Sequence, residues 1–185
     1  MKKIVIFASG SGTNAERIIK YFLEKRSVEV SSVFTNKPDA GVIDRANRLN
    51  VNVELFNRAD FYETNRVMQM LEEYKPDLIV LAGFLWLVPE AMTAKYDIIN
   101  IHPALLPKYG GKGMYGMKVH EAVIEAKEPK SGISIHWVNN RYDEGQIIFQ
   151  ADFEIEDGET PNSLAQRIHQ LEYAYFPEVI EEVLK

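Results

Sequence analysis

The chain contains no cysteine among its 185 residues. It therefore has no disulfide framework, no thiolate nucleophile and no cysteine-based zinc site, which fits a reducing compartment. A long apolar run at the amino terminus is also missing. The run within Met1–Phe7 is far too short for a signal peptide or a membrane span. A formal net charge of −6 disfavours broad binding to nucleic-acid phosphates. These absences predict a cytoplasmic protein whose partners are neither nucleic acids nor membranes.

The apolar content is ample, and its pattern predicts the fold. With 46% hydrophobic and 26% charged residues, the chain is typical of one globular domain over residues 1–185. Five short runs rich in Val, Ile and Leu are candidate strands: Lys3–Phe7, Glu29–Phe34, Asn52–Phe56, Asp77–Ala82 and Asp97–Ile101. Between them, apolar residues recur at three-to-four spacing, as in Ile18, Ile19, Phe22 and Leu23. This alternation predicts an α/β fold, a doubly wound, mostly parallel twisted sheet with a Rossmann-like amino-terminal half.

The pattern changes after residue 115. A helix at about Lys118–Glu125 is followed by two strands, Ser131–Val138 and Gly145–Phe153, close enough to pair as a hairpin. They predict an antiparallel edge to the sheet. A last helix is expected to start at Thr160-Pro161, a good cap and first-turn pair. Its predicted apolar face consists of Leu164, Ile168, Leu171 and Tyr175.

The first predicted strand runs into Ser9-Gly10-Ser11-Gly12-Thr13-Asn14, where two glycines allow a tight turn and close approach to a ligand. Thr13 and Glu16 are spaced for a capping box, and free amides at a helix start favour an anion. A dinucleotide fingerprint, a cradle for a phosphate monoester and a plain strand-to-helix turn all remain open. The second strand lacks the acidic residue that grips a ribose hydroxyl, so NAD is disfavoured. The loop favours a small phosphorylated substrate.

The octapeptide Asn100-Ile101-His102-Pro103-Ala104-Leu105-Leu106-Pro107 places Asn100 and His102 two residues apart at the end of a predicted strand. Residues i and i+2 of a strand share a face, so an amide donor and an imidazole can converge on one reacting atom. An amide can hold an oxyanion while an imidazole moves protons. The alternative is a core histidine beside a turn asparagine.

Two further loops follow predicted strands. Asp143 precedes a glycine in the loop after His136, and a carboxylate there can meet His102. Such a partner is expected to raise the pKa of His102 above about 6.5, although a loop of this kind on its own is more often a plain hairpin turn. The segment Leu81–Pro89 is either a cap on the core or an apolar wall for a flat heterocycle.

Taken together, these motifs resemble the folate-dependent glycinamide ribonucleotide formyltransferase family over almost the whole chain. The Asn-Ile-His-Pro-x-Leu-Leu-Pro motif is shared across folate formyltransferases, and the Ser9–Asn14 loop resembles the phosphate cradle of this branch. The resemblance implies transfer of a formyl group from 10-formyltetrahydrofolate to the amine of glycinamide ribonucleotide. Direct attack through a tetrahedral intermediate, with no covalent enzyme intermediate and no metal, is expected.

The resemblance also assigns residues. It implies that Asn100, His102 and Asp143 are catalytic. Gly12, Thr13 and Asn14 would bind the ribonucleotide phosphate, and Glu172 the glycinamide part. The implied folate site consists of Arg58, Leu85, Trp86, Leu87, Val88 and Asn100.

Two departures from the family pattern bear on these assignments. Trp86 stands where many relatives carry arginine, which questions a side-chain role there. The glycine-rich stretch at Lys108–Gly116 is longer than in some members, and we hypothesise a mobile lid at Gly110–Gly116.

Three other functions compete with the transferase. A methionyl-tRNA formyltransferase is expected to need a further RNA-binding domain, and a formyltetrahydrofolate hydrolase a regulatory amino-terminal domain. A ligand sensor without catalysis would not need the three catalytic residues. The small-molecule substrates are the expected partners, and monomer and homodimer both remain open.

Overall fold

The computed structural model describes the whole chain, residues 1–185. Seven strands form one sheet: β1 (Lys2–Phe7), β2 (Val28–Thr35), β3 (Asn52–Leu55), β4 (Leu78–Leu81), β5 (Ile98–His102), β6 (Lys130–Trp137) and β7 (Ile147–Glu154). Their order across the sheet is β3-β2-β1-β4-β5-β6-β7. The first five in this order run parallel, whereas β6 is antiparallel to both of its neighbours. The predicted α/β sheet with an antiparallel edge is confirmed.

Seven helices connect or follow the strands: α1 (Thr13–Lys25), α2 (Val42–Arg48), α3 (Arg58–Tyr62), α4 (Arg66–Tyr74), α5 (Glu90–Thr93), α6 (Met117–Glu125) and α7 (Pro161–Val183). Thr160 caps α7 through a reciprocal pair of hydrogen bonds with Ser163, and Pro161 lies in the first turn, as predicted. None of the helices combines the length and the apolar character needed to cross a membrane.

The core lies on both faces of the sheet, because successive side chains of a strand point in opposite directions. In β1, Ile4 and Ile6 join the larger cluster of 28 buried residues, which α1, α2, α6 and α7 cover. Val5 and Phe7 join a cluster of 12 buried residues on the other face, to which α3, α4 and α5 contribute. Helices on both faces are what a doubly wound sheet requires.

Two predicted apolar faces differ from the structure. Leu23 was expected to be buried, but its side chain lies beyond the contact stripe of α1 and is 55% exposed. On α7, Leu171 and Tyr175 are only partly buried, whereas Glu172 and Phe176 are buried. The contact face of α7 thus repeats every four residues from Leu164 to Phe176. One of these positions is Glu172, whose buried carboxylate is hydrogen-bonded to Asn14 and His169.

The strand order reverses between β1 and β4, since β2 lies on one side of β1 and β4 on the other. In an open α/β sheet, ligands bind in the crevice at the carboxyl ends of the strands beside such a reversal. The carboxyl ends of β1, β4 and β5 meet at this crevice and carry Gly12, Leu85–Val88, Asn100 and His102 there or in the loops that follow. Asp143 lies between β6 and β7, and Glu172 lies on α7.

Candidate active site

A cavity of about 690 Å³ opens at the carboxyl ends of β1, β4 and β5. One part, here called the polar half, is lined by Gly10–Asn14, His120, His169 and Glu172. Another part, the apolar half, is lined by Leu81–Val88 together with residues of the β6–β7 loop. Asn100, His102 and Asp143 also line the cavity, as do residues 111–117 of the glycine-rich loop. The structure therefore brings the three predicted catalytic residues into one cavity with the phosphate loop and the apolar segment.

The start of α1 has no side-chain cap, and the predicted Thr13–Glu16 capping box is wrong. Gly12 is the N-cap residue, in a left-handed conformation with a φ of 76°, and no side chain bonds to the first-turn N–H groups. The Glu16 carboxylate is drawn to Lys20 and Arg45 instead. Because the first N–H groups of a helix have no partner within the helix, they remain available to an anion beside Thr13 and Asn14.

Gly12 is the residue of this loop for which a side chain has no room. A Cβ atom there would lie 2.4 Å from Val42 Cγ2 and 2.6 Å from Val42 Cα, at a positive φ. We expect Gly12→Ala to lower the free energy of unfolding by about 2–4 kcal/mol, from left-handed strain and overpacking. Urea denaturation would measure this, with Gly10→Ala as the matched control.

The control has a clear expectation, because a Cβ atom at Gly10 would meet nothing within 4 Å. Its free energy of unfolding should stay within about 0.5 kcal/mol of the parent value. Equal losses in the two variants would contradict a specific role for the close approach of Gly12 to α2.

The Glu172 carboxylate links α1 and α7 in the polar half through contacts with Asn14 and His169. Its Oε2 atom accepts a hydrogen bond from Asn14 Nδ2 at 2.9 Å, across 158 residues of sequence, and lies 2.8 Å from His169 Nδ1. Glu172 is only 5% exposed. The hydrogen bond to Glu172 raises the pKa of His169, which favours its imidazolium form relative to a free imidazole.

Asn100 and His102 lie in the carboxyl-terminal half of β5. Asp143 lies opposite them in the β6–β7 loop. His102 Nδ1 lies 3.6 Å from Asp143 Oδ2, and His102 Nε2 lies 2.7 Å from the Tyr109 carbonyl oxygen. Asn100 Nδ2 lies 3.5 Å from Asp143 Oδ1. The backbone N–H of Gly111 donates to Asp143 Oδ2 at 2.9 Å, which fixes the carboxylate toward the histidine.

His136 orients Asn100 from the neighbouring strand. The two residues are partners in the β5–β6 register, and Asn100 Nδ2 lies 3.1 Å from His136 Nε2. His136 Nδ1 lies 2.8 Å from the Trp137 carbonyl oxygen, so the tautomer with its proton on Nδ1 donates there and accepts from Asn100 at Nε2. One amide N–H of Asn100 is thus held firmly, and the other has only a long contact with Asp143.

The expected rise in the pKa of His102 is wrong. Burial lowers this pKa, and the opposing effects of the Asp143 carboxylate and the Tyr109 carbonyl do not offset it, so the net shift is downward. The ring is only 4% exposed, and desolvation disfavours its charged form. Burial raises the pKa of Asp143, but the neighbouring His136 and His102 rings and the Gly111 N–H bring it below its usual value.

The apolar half is backed by aromatic rings. Trp86 packs against Phe56 and Phe61, with ring centroids 6.1 and 5.8 Å apart. The backbone N–H of Leu85 donates to Ser9 Oγ at 3.2 Å, and the Tyr62 hydroxyl donates to the Leu87 carbonyl at 2.8 Å. These contacts hold the segment as a wall beside the catalytic residues.

Arg58 is the predicted site residue that does not line the cavity. Its guanidinium lies over the Tyr62 ring, 4.8 Å from the centroid, and 6.0 Å from the Trp86 ring centroid. Leu85, Trp86, Leu87 and Val88 do line the cavity. The arginine thus stands behind the wall in this structure, and its contact with folate stays a prediction.

The lining residues without a predicted role include His120, His136, Tyr142 and His169. For His136, the alternation of side chains along the strand that ends near Asp143 offered a signal, because a core-facing histidine is unusual. His169 stands three residues before Glu172, on one helix face. No local pattern marks His120, since its position depends on how α6 packs against α7.

Comparison with known proteins agrees with this geometry. The formyl transferase family model matches residues 2–180. The chain is 34% identical to the phosphoribosylglycinamide formyltransferase of Bacillus subtilis, over 100% of this chain and 95% of that protein. The crystal structure of the Bacillus halodurans phosphoribosylglycinamide formyltransferase superimposes with a TM-score of 0.89 at 34% identity, covering 100% of this chain and 96% of the other.

Plant relatives are similar but longer. The chloroplastic phosphoribosylglycinamide formyltransferase of Arabidopsis thaliana is 36% identical over 97% of this chain, which spans 64% of that protein's length. The chain spans 60% of the length of the Vigna unguiculata relative. The match of the family model to nearly every residue, and the full-length bacterial relatives, show that this chain belongs to the formyl transferase family.

Proposed function

We propose that the chain transfers the formyl group of 10-formyltetrahydrofolate to the amine of glycinamide ribonucleotide. The observation that carries this proposal is the meeting of Asn100, His102 and Asp143 between an uncapped helix start and an apolar wall in one cavity. The names of the bacterial and plant relatives support the same acceptor and the transfer of a formyl group.

Each half of the cavity suits one substrate. The free amides at the start of α1, with the raised pKa of His169 nearby, favour the phosphate monoester of the ribonucleotide. The apolar wall at Leu85–Val88 offers a flat surface and backbone groups to a pterin ring. The two substrates would then meet at Asn100 and His102.

Asn100 supplies the donor for the developing charge. Attack of the substrate amine on the formyl carbon turns the formyl oxygen into an oxyanion. The amide N–H of Asn100 that has only the 3.5 Å contact with Asp143 is available to this oxygen, while His136 holds the amide group in place through the other N–H. A preorganised donor of this kind is worth on the order of 3 kcal/mol in the transition state.

His102 moves the proton. In the ligand-free protein its ring is neutral at pH 7, and Nε2 donates to the Tyr109 carbonyl, so Nδ1 is the open nitrogen. A negative charge on the substrate oxygen favours the imidazolium. Nδ1 therefore accepts the proton that the attacking amine loses, and Asp143, 3.6 Å away, stabilises the ring while it is charged. The ring returns a proton to the folate nitrogen as the bond from that nitrogen to the formyl carbon breaks.

This proton path predicts a measurable pKa. In the ligand-free protein, His102 should titrate below 6.5, the reverse of what a carboxylate partner alone would give. Nitrogen NMR of histidine-labelled protein measures it, with His102→Asn to assign the signal. His169 is the internal control, because its pKa is raised by Glu172. A midpoint above 6.5 for His102 would mean that the ring carries its proton before the substrates bind.

The activity itself is tested by following tetrahydrofolate release from 10-formyltetrahydrofolate, with and without glycinamide ribonucleotide. We expect release only when the ribonucleotide is present. Release in its absence would indicate hydrolysis and overturn the proposal. Formylation of methionyl-tRNA at a comparable rate would overturn the choice of acceptor.

Three further expectations accompany this function. Residues 1–185 act as one domain, because a single sheet carries both halves of the cavity. The partners are the two small substrates, with monomer and homodimer both open. A cytoplasmic location stays a prediction, since the plant relatives are named chloroplastic.

A further inference from the structure

Three consecutive residues, Tyr109, Gly110 and Gly111, here called the 109–111 segment, hold both His102 and Asp143. The Tyr109 carbonyl oxygen lies 2.7 Å from His102 Nε2, and the Gly111 N–H donates to Asp143 Oδ2 at 2.9 Å. Between them, Gly110 lies so close that a Cβ atom there would stand 3.2 Å from Asp143 Cβ. The position of the imidazole relative to the carboxylate therefore depends on the backbone of this segment.

The 109–111 segment begins in a conformation that a residue with a side chain rarely adopts. Tyr109 has a φ of 58°, and Asp143, which the segment contacts, has a φ of 56°. A left-handed backbone is sterically unfavourable for a bulky residue such as tyrosine, and it persists only where surrounding contacts hold it. Contacts outside the segment are therefore needed to keep the Tyr109 carbonyl turned to His102.

Glu128 supplies such contacts. The Tyr109 hydroxyl donates to Glu128 Oε1 at 2.8 Å, and Lys108 Nζ lies 3.0 and 3.3 Å from the two carboxylate oxygens. These hydrogen bonds lower the pKa of the Glu128 carboxyl, so it is ionised at pH 7 and accepts from both residues. Glu128 precedes β6 by two residues, and β6 pairs with the strand that carries His102. The anchor is thus attached to the same sheet as the imidazole.

We propose that Glu128 is a positioning residue for the reaction, which fixes the His102 ring by holding Tyr109. Lys108, Tyr109 and Glu128 do not line the cavity, so Glu128 acts through the Tyr109 backbone and not by contact with a substrate. A fixed carbonyl at Nε2 keeps the proton on that nitrogen and leaves Nδ1 bare beside Asp143. The consequence for turnover rests on the proposed function, whereas the consequence for the ring itself does not.

The direct test is spectroscopic and uses the ligand-free protein at neutral pH. Nitrogen NMR of histidine-labelled protein distinguishes the two neutral tautomers, and in the parent His102 should carry its proton almost entirely on Nε2. In Tyr109→Phe and in Glu128→Ala, the fraction protonated at Nδ1 should rise, because the Tyr109 carbonyl is no longer held at Nε2 and the Asp143 carboxylate lies 3.6 Å from Nδ1. An unchanged tautomer ratio in either variant would overturn the proposal.

Glu128→Gln is the conservative variant. Its side chain keeps an oxygen that accepts from the Tyr109 hydroxyl, so the His102 tautomer ratio and kcat should both stay close to those of the parent. A loss of kcat in Glu128→Gln as large as that in Glu128→Ala would overturn the path through Tyr109.

The kinetic test measures formyl transfer by the same variants. In Tyr109→Phe and Glu128→Ala, kcat should fall by about 3- to 30-fold, since a small displacement of a catalytic group is costly. KM for each substrate should change by less than about twofold, because neither residue lines the cavity. Both variants remove the same contact, so the double variant should lose no more than the larger single loss.

The two measurements separate this inference from the proposed function. A changed tautomer ratio in a protein that transfers no formyl group would refute the proposed function and leave the anchoring of His102 by Glu128 in place. A changed ratio with an unchanged kcat would contradict the role of His102 in the chemistry and not its anchoring.

Tyr21→Phe is the matched control, because Tyr21 belongs to a similar group elsewhere in the molecule. Its hydroxyl donates to Glu181 Oε2 at 2.9 Å, and Lys25 Nζ lies 2.8 Å from the same oxygen. This group joins α1 to α7 and does not line the cavity. Tyr21→Phe and Tyr109→Phe should both lower the melting temperature, but only Tyr109→Phe should change kcat and the His102 tautomer. An equal fall in kcat in both variants would indicate a general effect of stability and overturn the proposal.

Discussion

Replacing His102 by alanine is expected to lower kcat by about 10²- to 10⁴-fold, the usual contribution of a positioned acid–base group. The reason is that in the proposed mechanism His102 Nδ1 takes up the amine proton beside Asp143, and alanine leaves no group there to receive it. KM for the ribonucleotide should change by less than about threefold, because the proposed phosphate site is the uncapped start of α1 and not the imidazole. Steady-state formyl transfer with each substrate varied in turn measures both constants.

Ile101→Val is the matched control for His102→Ala. Ile101 is the neighbouring residue of β5, is buried and belongs to the larger core cluster. Its replacement should cost about 0.5–1.5 kcal/mol of stability and leave kcat near the parent value. A His102→Ala variant with near-normal kcat would remove the imidazole from the mechanism. A variant that raises KM alone would make it a binding group instead.

Asn100→Ala is expected to lower kcat by about 10²- to 10³-fold, the range found for loss of one oxyanion donor. Its amide is preorganised, since His136 holds one N–H at 3.1 Å and the strand fixes the backbone. The loss should appear in kcat more than in KM, because the donor meets a full negative charge only in the transition state.

Asn100→Asp sharpens this second prediction. The side chain keeps its shape, but a carboxylate replaces the donor and repels both the oxyanion and Asp143, so kcat should fall at least as far as in the alanine variant. Substantial activity in Asn100→Asp would contradict oxyanion binding by this residue. Since the proposed mechanism has Asn100 and His102 act on the same reacting atoms, the double variant should lose less than the product of the single losses.

The outline of the fold followed from local patterns. Runs of Val, Ile and Leu predicted five strands, and in the structure each lies within two residues of its predicted bounds. The spacing of Asn100 and His102 predicted that both side chains share a face of β5, and both line the cavity. A strand has a period of two, so two residues of one strand have a fixed relation that needs no knowledge of the remaining chain.

Other features depended on residues far away in the sequence. The Thr13–Glu16 cap is replaced because Gly12 packs against Val42 and because Arg45 draws Glu16 away. Arg58 stands behind Trp86 because the aromatic cluster between the sheet and α3 sets the direction of that helix. The local sequence pattern predicts neither the uncapped start of α1 nor the position of Arg58.

The sequence by itself determined the α/β class, the strands and the residue types that can perform formyl transfer. Only the tertiary structure decided how those groups are charged and paired: Asp143 meets Asn100 across 43 residues, burial lowers the pKa of His102, and His120 is left without a partner. The physical reason is that periodicity acts over one turn or one strand. Desolvation and pairing, in contrast, depend on every element that packs around a group.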